Sequence, residues 1–117
     1  MQFRKKRLLK EVTFHIRGWL DRHPDLPFRI ELTDIKISND LGDIKLYVFW
    51  EAEEYTAQIM SILNKTNYLA RQLIVEAINF KRAPKLRFFF DSDEVQLRQL
   101  KQVMTGLDER QVINTST

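Results

Sequence analysis

The sequence contains no cysteine in its 117 residues, so disulfide bonds and thiol catalysis are excluded and a reducing compartment is expected. Its three glycines, Gly18, Gly42 and Gly106, are too few and too scattered for the phosphate-binding loops of nucleotide enzymes. The two histidines, His15 and His23, would need carboxylates to complete a zinc site, and no such spacing is recognisable. We therefore predict a protein that is not an enzyme and holds no cofactor or metal.

Long apolar stretches are also missing, since no run approaches the ~18 residues that a membrane span requires. The basic first ten residues lack the apolar core of a secretory signal, so we expect a cytoplasmic protein without a membrane partner. Apolar residues nevertheless make up 44% of the chain, which is enough for one domain with a hydrophobic core. We predict that this domain spans residues 1–110 and that residues 111–117 form a disordered tail.

Charge is unevenly distributed, although 19 basic and 16 acidic residues leave a net charge of only +3. Residues 1–10 contain five cations and no acid, and a second basic segment covers residues 65–87. The second segment sets six cations against the single Glu76: Lys65, Arg71, Lys81, Arg82, Lys85 and Arg87. Two such segments favour a surface that binds a polyanion, and the alternative is that they are ordinary solvated surfaces.

Helical periodicity marks both ends of the predicted domain. Apolar residues recur at helical spacing from Phe3 to about Leu20, and the HPDLP segment at 23–27 ends this helix because proline cannot continue one. A final helix is predicted to follow Asp91 or Ser92, whose side chain would cap it. Its apolar positions are Leu97, Leu100, Met104 and Leu107.

Three segments have the alternating pattern of β-strands. The first, residues 28–38, changes phase at residues 33–34, which predicts a β-bulge within one strand. The NDLGD turn at 39–43 connects it to a second strand over residues 43–50, so the two form a hairpin. A third strand is predicted over residues 84–91, where the proline at its start is tolerated.

Between the second and third strands, residues 53–80 have helical periodicity that the polar NKTN segment at 64–67 interrupts. Because asparagine tolerates a left-handed backbone, we predict a kink or break there, with a continuous helix as the alternative. The order of elements is then α-β-β-α-(kink)-α-β-α. It predicts an α+β domain in which helices pack on one side of a three-stranded sheet.

The clustered carboxylates of Asp91, Asp93 and Glu94 invite comparison with an acid/base or Mg²⁺ site. Their position at the predicted start of the last helix favours a simpler interpretation. A helix N-terminus needs a capping oxygen and its dipole favours negative charge, so capping accounts for all three residues.

Phosphate binding has more support, because lysine and arginine on a rigid face neutralise phosphates and release counterions. Lys65 and Arg71 would lie near Lys81 and Arg82 if the second central helix runs back to the sheet. Donors for phosphate or 2′-hydroxyl groups would come from the predicted kink, at Asn64, Thr66 and Asn67.

Exposed aromatic residues accompany the cations of the predicted sheet. Tyr47, Phe49 and Phe89 share the strand faces that carry Lys45 and Arg87, where their rings could stack on unpaired bases. The alternative is that a terminal helix covers these rings, which would make them a second packing surface.

Three segments carry a family resemblance: DIKISNDLGDIKLYVF at 34–49, LNKTNYLARQL at 63–73 and APKLRFFFDSDE at 83–94. They are similar to the first hairpin, the helix–kink–helix and the Pro-x-Leu-x-Phe strand with its acidic helix start in the ribosome-binding factor A family. Where that family breaks its helices at Ala-x-Gly, this chain has Thr66-Asn67-Tyr68. The resemblance spans about residues 3 to 104 and implies a single KH-like (type II) domain.

The resemblance also implies a non-enzymatic, monomeric RNA-binding factor that associates with the free small (30S) ribosomal subunit or its precursors and assists 16S rRNA maturation. Such factors are linked to growth after cold shock. The residues that we predict to contact RNA are Arg4, Lys5, Lys6, Arg7, Lys45, Asn64, Lys65, Thr66, Asn67, Arg71, Lys81, Arg82, Lys85 and Arg87. The alternative is a protein–protein interaction module that docks through Tyr47, Phe49 and Phe89 without RNA and responds little to salt.

Overall fold

Two helices cover one face of a three-stranded sheet. The structure is a computed structural model, and it describes the backbone of residues 2–115 and the side chains of residues 4–104. Its elements are α1 (Gln2–Asp21), β1 (Glu31–Ile37), β2 (Asp43–Phe49), a 3₁₀ turn (Glu53–Tyr55), α2 (Thr56–Ala77), β3 (Lys85–Phe90) and α3 (Ser92–Thr115). β2 pairs antiparallel with β1 and parallel with β3, so the predicted α+β architecture with a three-stranded sheet is confirmed.

The sheet meets α1 and α2 in one apolar core. Every fourth residue of α1, from Leu8 through Val12 and Ile16 to Leu20, is buried, which is the stripe that the periodicity predicts. The positions that face it from α2 and β2 are Ile59, Leu63, Ala70, Ile74, Ile44, Leu46 and Val48. Because β2 alternates, its remaining side chains lie on the opposite face of the sheet.

β1 contains the bulge that the change of phase predicts. Its pairing with β2 shifts register between Leu32 and Asp34, which leaves Thr33 as the extra residue. Leu32 and Ile35 are both buried for this reason, although they are three positions apart. The Thr33 hydroxyl donates to a carboxylate oxygen of Asp91, so the bulge is tied to the end of β3.

The turn between β1 and β2 contains one strained residue. Leu41 has a φ of 61°, in the left-handed region that costs an L-residue roughly 1–2 kcal/mol. Its N–H donates to the Ser38 carbonyl at 3.0 Å, and the next residue, Gly42, donates its N–H to Asp40 Oδ1 at 3.0 Å. The Leu41 side chain packs against the core, which offsets part of the strain.

α2 is continuous over Thr56–Ala77, so the predicted break at residues 64–67 is wrong. The segment contains no glycine or proline to end a helix. Thr66 Oγ1 donates to the carbonyl four residues before it at 2.7 Å, which leaves the helix intact. Asn67 Nδ2 donates to the Leu86 carbonyl at 2.7 Å, so this side chain joins the helix to β3 instead of ending it.

α3 begins with the predicted cap but does not bury its apolar positions in the described part of the chain. Asp91 Oδ1 accepts the Glu94 N–H at 3.0 Å, which is the contact expected of an N-cap. Four large apolar side chains further along the helix are exposed: Leu97, Leu100, Val103 and Met104. The side chain of Leu107, predicted to accompany them, lies outside the described residues.

The predicted domain boundary at residue 110 stays a prediction. The backbone of α3 is helical to Thr115, which lies within the predicted tail at 111–117, whereas the side chains after residue 104 lie outside the described part. Within the part of the chain that the structure describes, no helix has the length and apolar character that crossing a membrane requires.

Candidate nucleic-acid interface

A basic cleft forms where the N-terminal part of α1 meets the turn between β1 and β2 and the loop between α2 and β3. We use this name for the surface around Arg4, Arg7, Lys81 and Arg82, which line a concavity of about 630 Å³. All four side chains are exposed. The fold therefore brings together cations from both basic segments of the sequence, as a polyanion-binding surface requires.

Local geometry accounts for the two walls of the cleft. On α1, Leu8 is buried against the core, and Arg4 and Arg7 are three positions apart on a neighbouring face of the helix. On the other wall, α2 has already ended, and the loop that returns the chain to β3 presents Lys81 and Arg82. The cations are thus held by a helix that packs on the core and by a short loop anchored at both ends.

An ionised carboxylate lies at the rim of the cleft. Asp40 accepts the Ser38 hydroxyl at 2.7 Å and the Gly42 N–H at 3.0 Å. The hydrogen bond from Ser38, followed by that from Gly42, lowers the pKa of Asp40 below its ordinary value, and the positive charge of Arg82 is a smaller cause. At neutral pH this carboxylate therefore subtracts one charge from the cleft.

The cleft combines this charge with apolar walls. Its apolar lining consists of Leu8, Leu41, Ala77, Ile78 and Phe80. Its acids are Glu11 and Asp40, so four cations face two carboxylates and the net charge is positive. Lysine and arginine groups in such a concavity can bind phosphates, while the apolar wall can contact sugar and base surfaces.

Arg71 and Asn67, both predicted to contact RNA, donate side-chain hydrogen bonds to backbone carbonyls of the same chain. Arg71 Nε donates to the Pro84 carbonyl at 2.8 Å, and Nη2 reaches the Ala83 carbonyl at 3.5 Å. Asn67 donates to the Leu86 carbonyl, as described above. Together these contacts fix α2 against the beginning of β3, which is a structural task that the charge pattern of the sequence does not reveal.

Thr66, a third predicted contact, is also engaged. His23 Nδ1 accepts the Asp25 N–H at 3.1 Å, so the ring proton is assigned to Nε2. Nε2 donates it to Thr66 Oγ1 at 3.0 Å. This bond joins the end of α1 to the middle of α2.

Among the residues that the structure describes, no group of three or more His, Cys, Asp or Glu side chains could hold a metal ion.

Other predicted residues on α1 and α2 do not line the cleft. Asn64 and Lys65 are exposed, but they lie far from the cleft. At 1.5 Å per residue they are about 20 Å along α2 from Ala77, the helix residue that lines the cleft. Lys6 lines a separate shallow groove on α1. Lys5 donates from Nζ to Asn39 Oδ1 at 3.3 Å and so joins α1 to the turn between β1 and β2.

The remaining predicted cations lie on the open sheet face, opposite the helices. We define this face by the outward side chains of the three strands: Asp34, Lys36, Asp43, Lys45, Tyr47, Lys85, Arg87 and Phe89. The strand register places Lys36 opposite Lys45 and Lys45 opposite Arg87, so three cations form a row across the sheet. Sequence reasoning missed Lys36, although alternation along β1 and the hairpin register together would have placed it beside Lys45.

One of the three aromatic residues predicted for this face is covered. Phe49 is only 5% exposed, and the guanidinium carbon of Arg98 lies 4.1 Å from the centre of its ring. Arg98 in turn pairs with Glu94, Glu31 and Glu51, and the hydrogen bonds to Glu94 and Glu31 raise the pKa of its guanidinium. The alternative, in which a terminal helix covers these rings, is therefore confirmed for Phe49.

The other two rings are half-buried on the open sheet face. Tyr47 and Phe89 lie opposite each other in register, with ring centres 5.6 Å apart and planes inclined by 28°. The protein-docking alternative consequently has a smaller apolar surface than the sequence suggests.

Comparisons with known proteins agree on one family. The model of a family described as ribosome-binding factor A matches residues 4–104. A relative named ribosome-binding factor A from Mycoplasmopsis agalactiae is 25% identical over 76 residues, which are 65% of this chain and 66% of the relative. Another of that name, from Alcanivorax borkumensis, is 27% identical over 75 residues, which are 62% of this chain and 55% of the relative. The match thus spans less than two thirds of either relative.

A solved structure supports the fold. The crystal structure of ribosome-binding factor A from Thermus thermophilus is similar with a TM-score of 0.61 and 18% sequence identity. The similarity covers 74% of this chain and 93% of that one. At this level of identity the comparison confirms the arrangement of helices and strands.

Proposed function

The chain belongs to the ribosome-binding factor A family, and from that premise we propose that it is a non-enzymatic RNA-binding factor of the small ribosomal subunit. In this proposal it binds 16S rRNA in the free 30S subunit or its precursors and assists late assembly and 16S rRNA maturation. It acts as a cytoplasmic monomer and needs no cofactor.

The observation that supports RNA binding most directly is the basic cleft. Arg4 and Arg7 on one wall face Lys81 and Arg82 on the other, although the two pairs are far apart in sequence. Four cations against two carboxylates leave the concavity positive, and a positively charged concavity attracts polyanions. Phosphate contacts of this kind supply most of the sequence-independent affinity for RNA.

Co-sedimentation with purified 30S subunits across a salt series tests the proposal. Binding through the four cations of the cleft should weaken by roughly two orders of magnitude between 50 and 200 mM salt. Arg82→Glu and, on the opposite wall, Arg4→Glu should each weaken binding about tenfold. Each should also flatten the plot of log affinity against log salt by about 0.7–0.9, because one phosphate contact is lost.

Arg29→Glu is the matched control, because it makes the same change of charge outside the cleft. Arg29 Nε lies 3.6 Å from Asp21 Oδ1. Asp21 is the last residue of α1, about 25 Å along the helix from Arg4. We expect less than a twofold change in affinity for this variant. Equal losses for Arg82→Glu and Arg29→Glu would show that net charge, rather than the cleft, governs binding.

A further inference from the structure

We infer that the open sheet face is a second RNA-binding site and that it takes an unpaired segment. A base of this segment stacks on the Tyr47–Phe89 pair, while Lys36, Lys45 and Arg87 bind its phosphates. The inference rests on the RNA-binding function proposed above. It concerns residues outside the basic cleft, and it adds a preference for single strands.

The row of cations is an unfavourable arrangement for the sheet alone. Lys36 lies opposite Lys45 and Lys45 opposite Arg87, on strands about 4.8 Å apart, so three positive side chains arise within about 10 Å. Like charges directly opposite each other destabilise a sheet. The carboxylate of Asp43 is 3.9 Å from Arg87, but an exposed pair at this distance offsets little of the repulsion. A polyanion lying across the strands would remove it.

Aromatic rings occupy the positions next to this row. The Tyr47 and Phe89 rings stack on each other, and Lys36 Nζ lies over the Tyr47 ring, 5.2 Å from its centre. The guanidinium carbon of Arg87 is 5.8 Å from the centre of the Phe89 ring. Cations beside stacked rings are the combination with which proteins bind single-stranded nucleic acids, because cations contact the backbone and rings stack on bases.

The two ends of the open sheet face differ in charge, which favours one placement of the phosphates. At one end Arg98 covers Phe49 and forms ion pairs with three carboxylates, those of Glu31, Glu51 and Glu94. At the other end Lys85 is an exposed cation next to the row, and Asp43 is the one carboxylate opposite it. Asp34 lies between them, in register with Tyr47. Phosphates therefore bind at the Lys85 end, and the base reaches Tyr47 and Phe89 from there.

The geometry favours an unpaired strand over the other polyanionic or apolar partners. The bases of a duplex are stacked on one another, so a duplex reaches the cations but not the rings. A purely apolar protein partner would have to cover the cation row without supplying anions, and desolvating those charges is costly. An unpaired RNA segment satisfies both the cations and the rings.

Fluorescence anisotropy with three RNAs of equal length tests the inference. They are an unpaired oligoadenylate of about eight nucleotides, the same oligomer without bases, and the corresponding duplex. Phe89→Leu keeps an apolar side chain but removes the ring. We expect it to weaken oligoadenylate binding about tenfold, which is 1.4 kcal/mol, and to leave binding of the abasic oligomer unchanged.

Lys45→Gln provides a second variant that does not depend on the packing of an aromatic residue. It should lower the salt slope by about 0.7 for the unpaired and the abasic oligomers alike, because one phosphate contact is lost. Its thermal midpoint should be unchanged or higher, since repulsion across the row is relieved. Arg29→Gln, which removes the same charge elsewhere, should leave the salt slope unchanged.

Three results would overturn the inference: equal affinity of the unchanged protein for oligoadenylate and its abasic form, equal affinity for the duplex, or an unchanged salt slope in Lys45→Gln. The two proposals fail separately. If Arg82→Glu weakens 30S binding while Phe89→Leu and Lys45→Gln leave oligoadenylate binding unaltered, the second site is refuted and the proposed function stands. If the unchanged protein does not bind 30S subunits at low salt, the proposed function is refuted.

Discussion

Arg71→Met separates the structural role of a cation from an RNA-binding role. The charge pattern groups Arg71 with Arg82, whereas the structure gives them different surroundings. Arg71 Nε donates to the carbonyl of the buried Pro84 at 2.8 Å, and Arg82 lines the basic cleft. Methionine keeps the unbranched stem of Arg71 and its helix propensity but removes the donor.

The expected loss of stability follows from that hydrogen bond. A bond from a charged donor contributes about 1.5–3 kcal/mol, and the lower value applies because the Arg71 side chain is exposed. At about 2.1 cal/mol/K per residue, the unfolding entropy of 117 residues is about 0.25 kcal/mol/K. A loss of about 1.5 kcal/mol therefore lowers the thermal midpoint by about 6 °C. The contact with Ala83 at 3.5 Å is too long to add much.

Thermal unfolding followed by circular dichroism, together with 30S co-sedimentation, measures both effects. Arg71→Met should melt about 6 °C lower and keep most of its affinity for the subunit at temperatures where it is folded. Arg82→Ala should melt within about 2 °C of the unchanged protein, as exposed substitutions usually do, and bind more weakly. The reasoning is refuted if Arg71→Met melts normally but loses as much binding as Arg82→Ala.

Two further predictions concern Asn67 and Asp40. Asn67→Asp places a carboxylate against the Leu86 carbonyl, where Asn67 donates at 2.7 Å. It should therefore destabilise the folded protein by more than the roughly 1 kcal/mol expected for Asn67→Ala. Urea midpoints equal to that of the unchanged protein would contradict the assigned bond. The pKa of Asp40 is lower in the folded protein than its ordinary value of 3.8. The ionised carboxylate therefore stabilises the fold at pH values above 3.8, and this contribution is lost as the pH falls through the lower, folded-state pKa. Asp40→Asn should therefore unfold more easily than the unchanged protein at pH 6, and the difference should shrink below about pH 4; a difference that is constant with pH would show that the carboxylate charge has no such role.

The residues proposed to contact RNA were only partly predictable. Arg4, Arg7, Lys81 and Arg82 were selected from charge alone, and the structure gathers them in one cleft. Charge and polarity also selected Arg71, Thr66 and Asn67, whose partners in the fold the sequence does not display. A donor on a helix surface looks the same in sequence whether it faces solvent or a carbonyl of another element.

Features that depend on neighbouring residues were readable from the chain alone. The α1 stripe of Leu8 to Leu20 follows from helical periodicity, and the bulge at Thr33 follows from a change of phase within one strand. The Asp91 cap is likewise a contact between residues three positions apart. Such patterns are local because the geometry of a helix or strand fixes which nearby side chains share a face.

Features that depend on distant partners required the three-dimensional arrangement. α2 continues through the polar segment at 64–67, where Asn67 donates to the carbonyl of Leu86, 19 residues later. The fate of Phe49 depends on Arg98, which reaches it from another element. Periodicity predicts which side of an element is apolar but not what the fold places against it, because contacts between distant residues arise only when the sheet and helices pack.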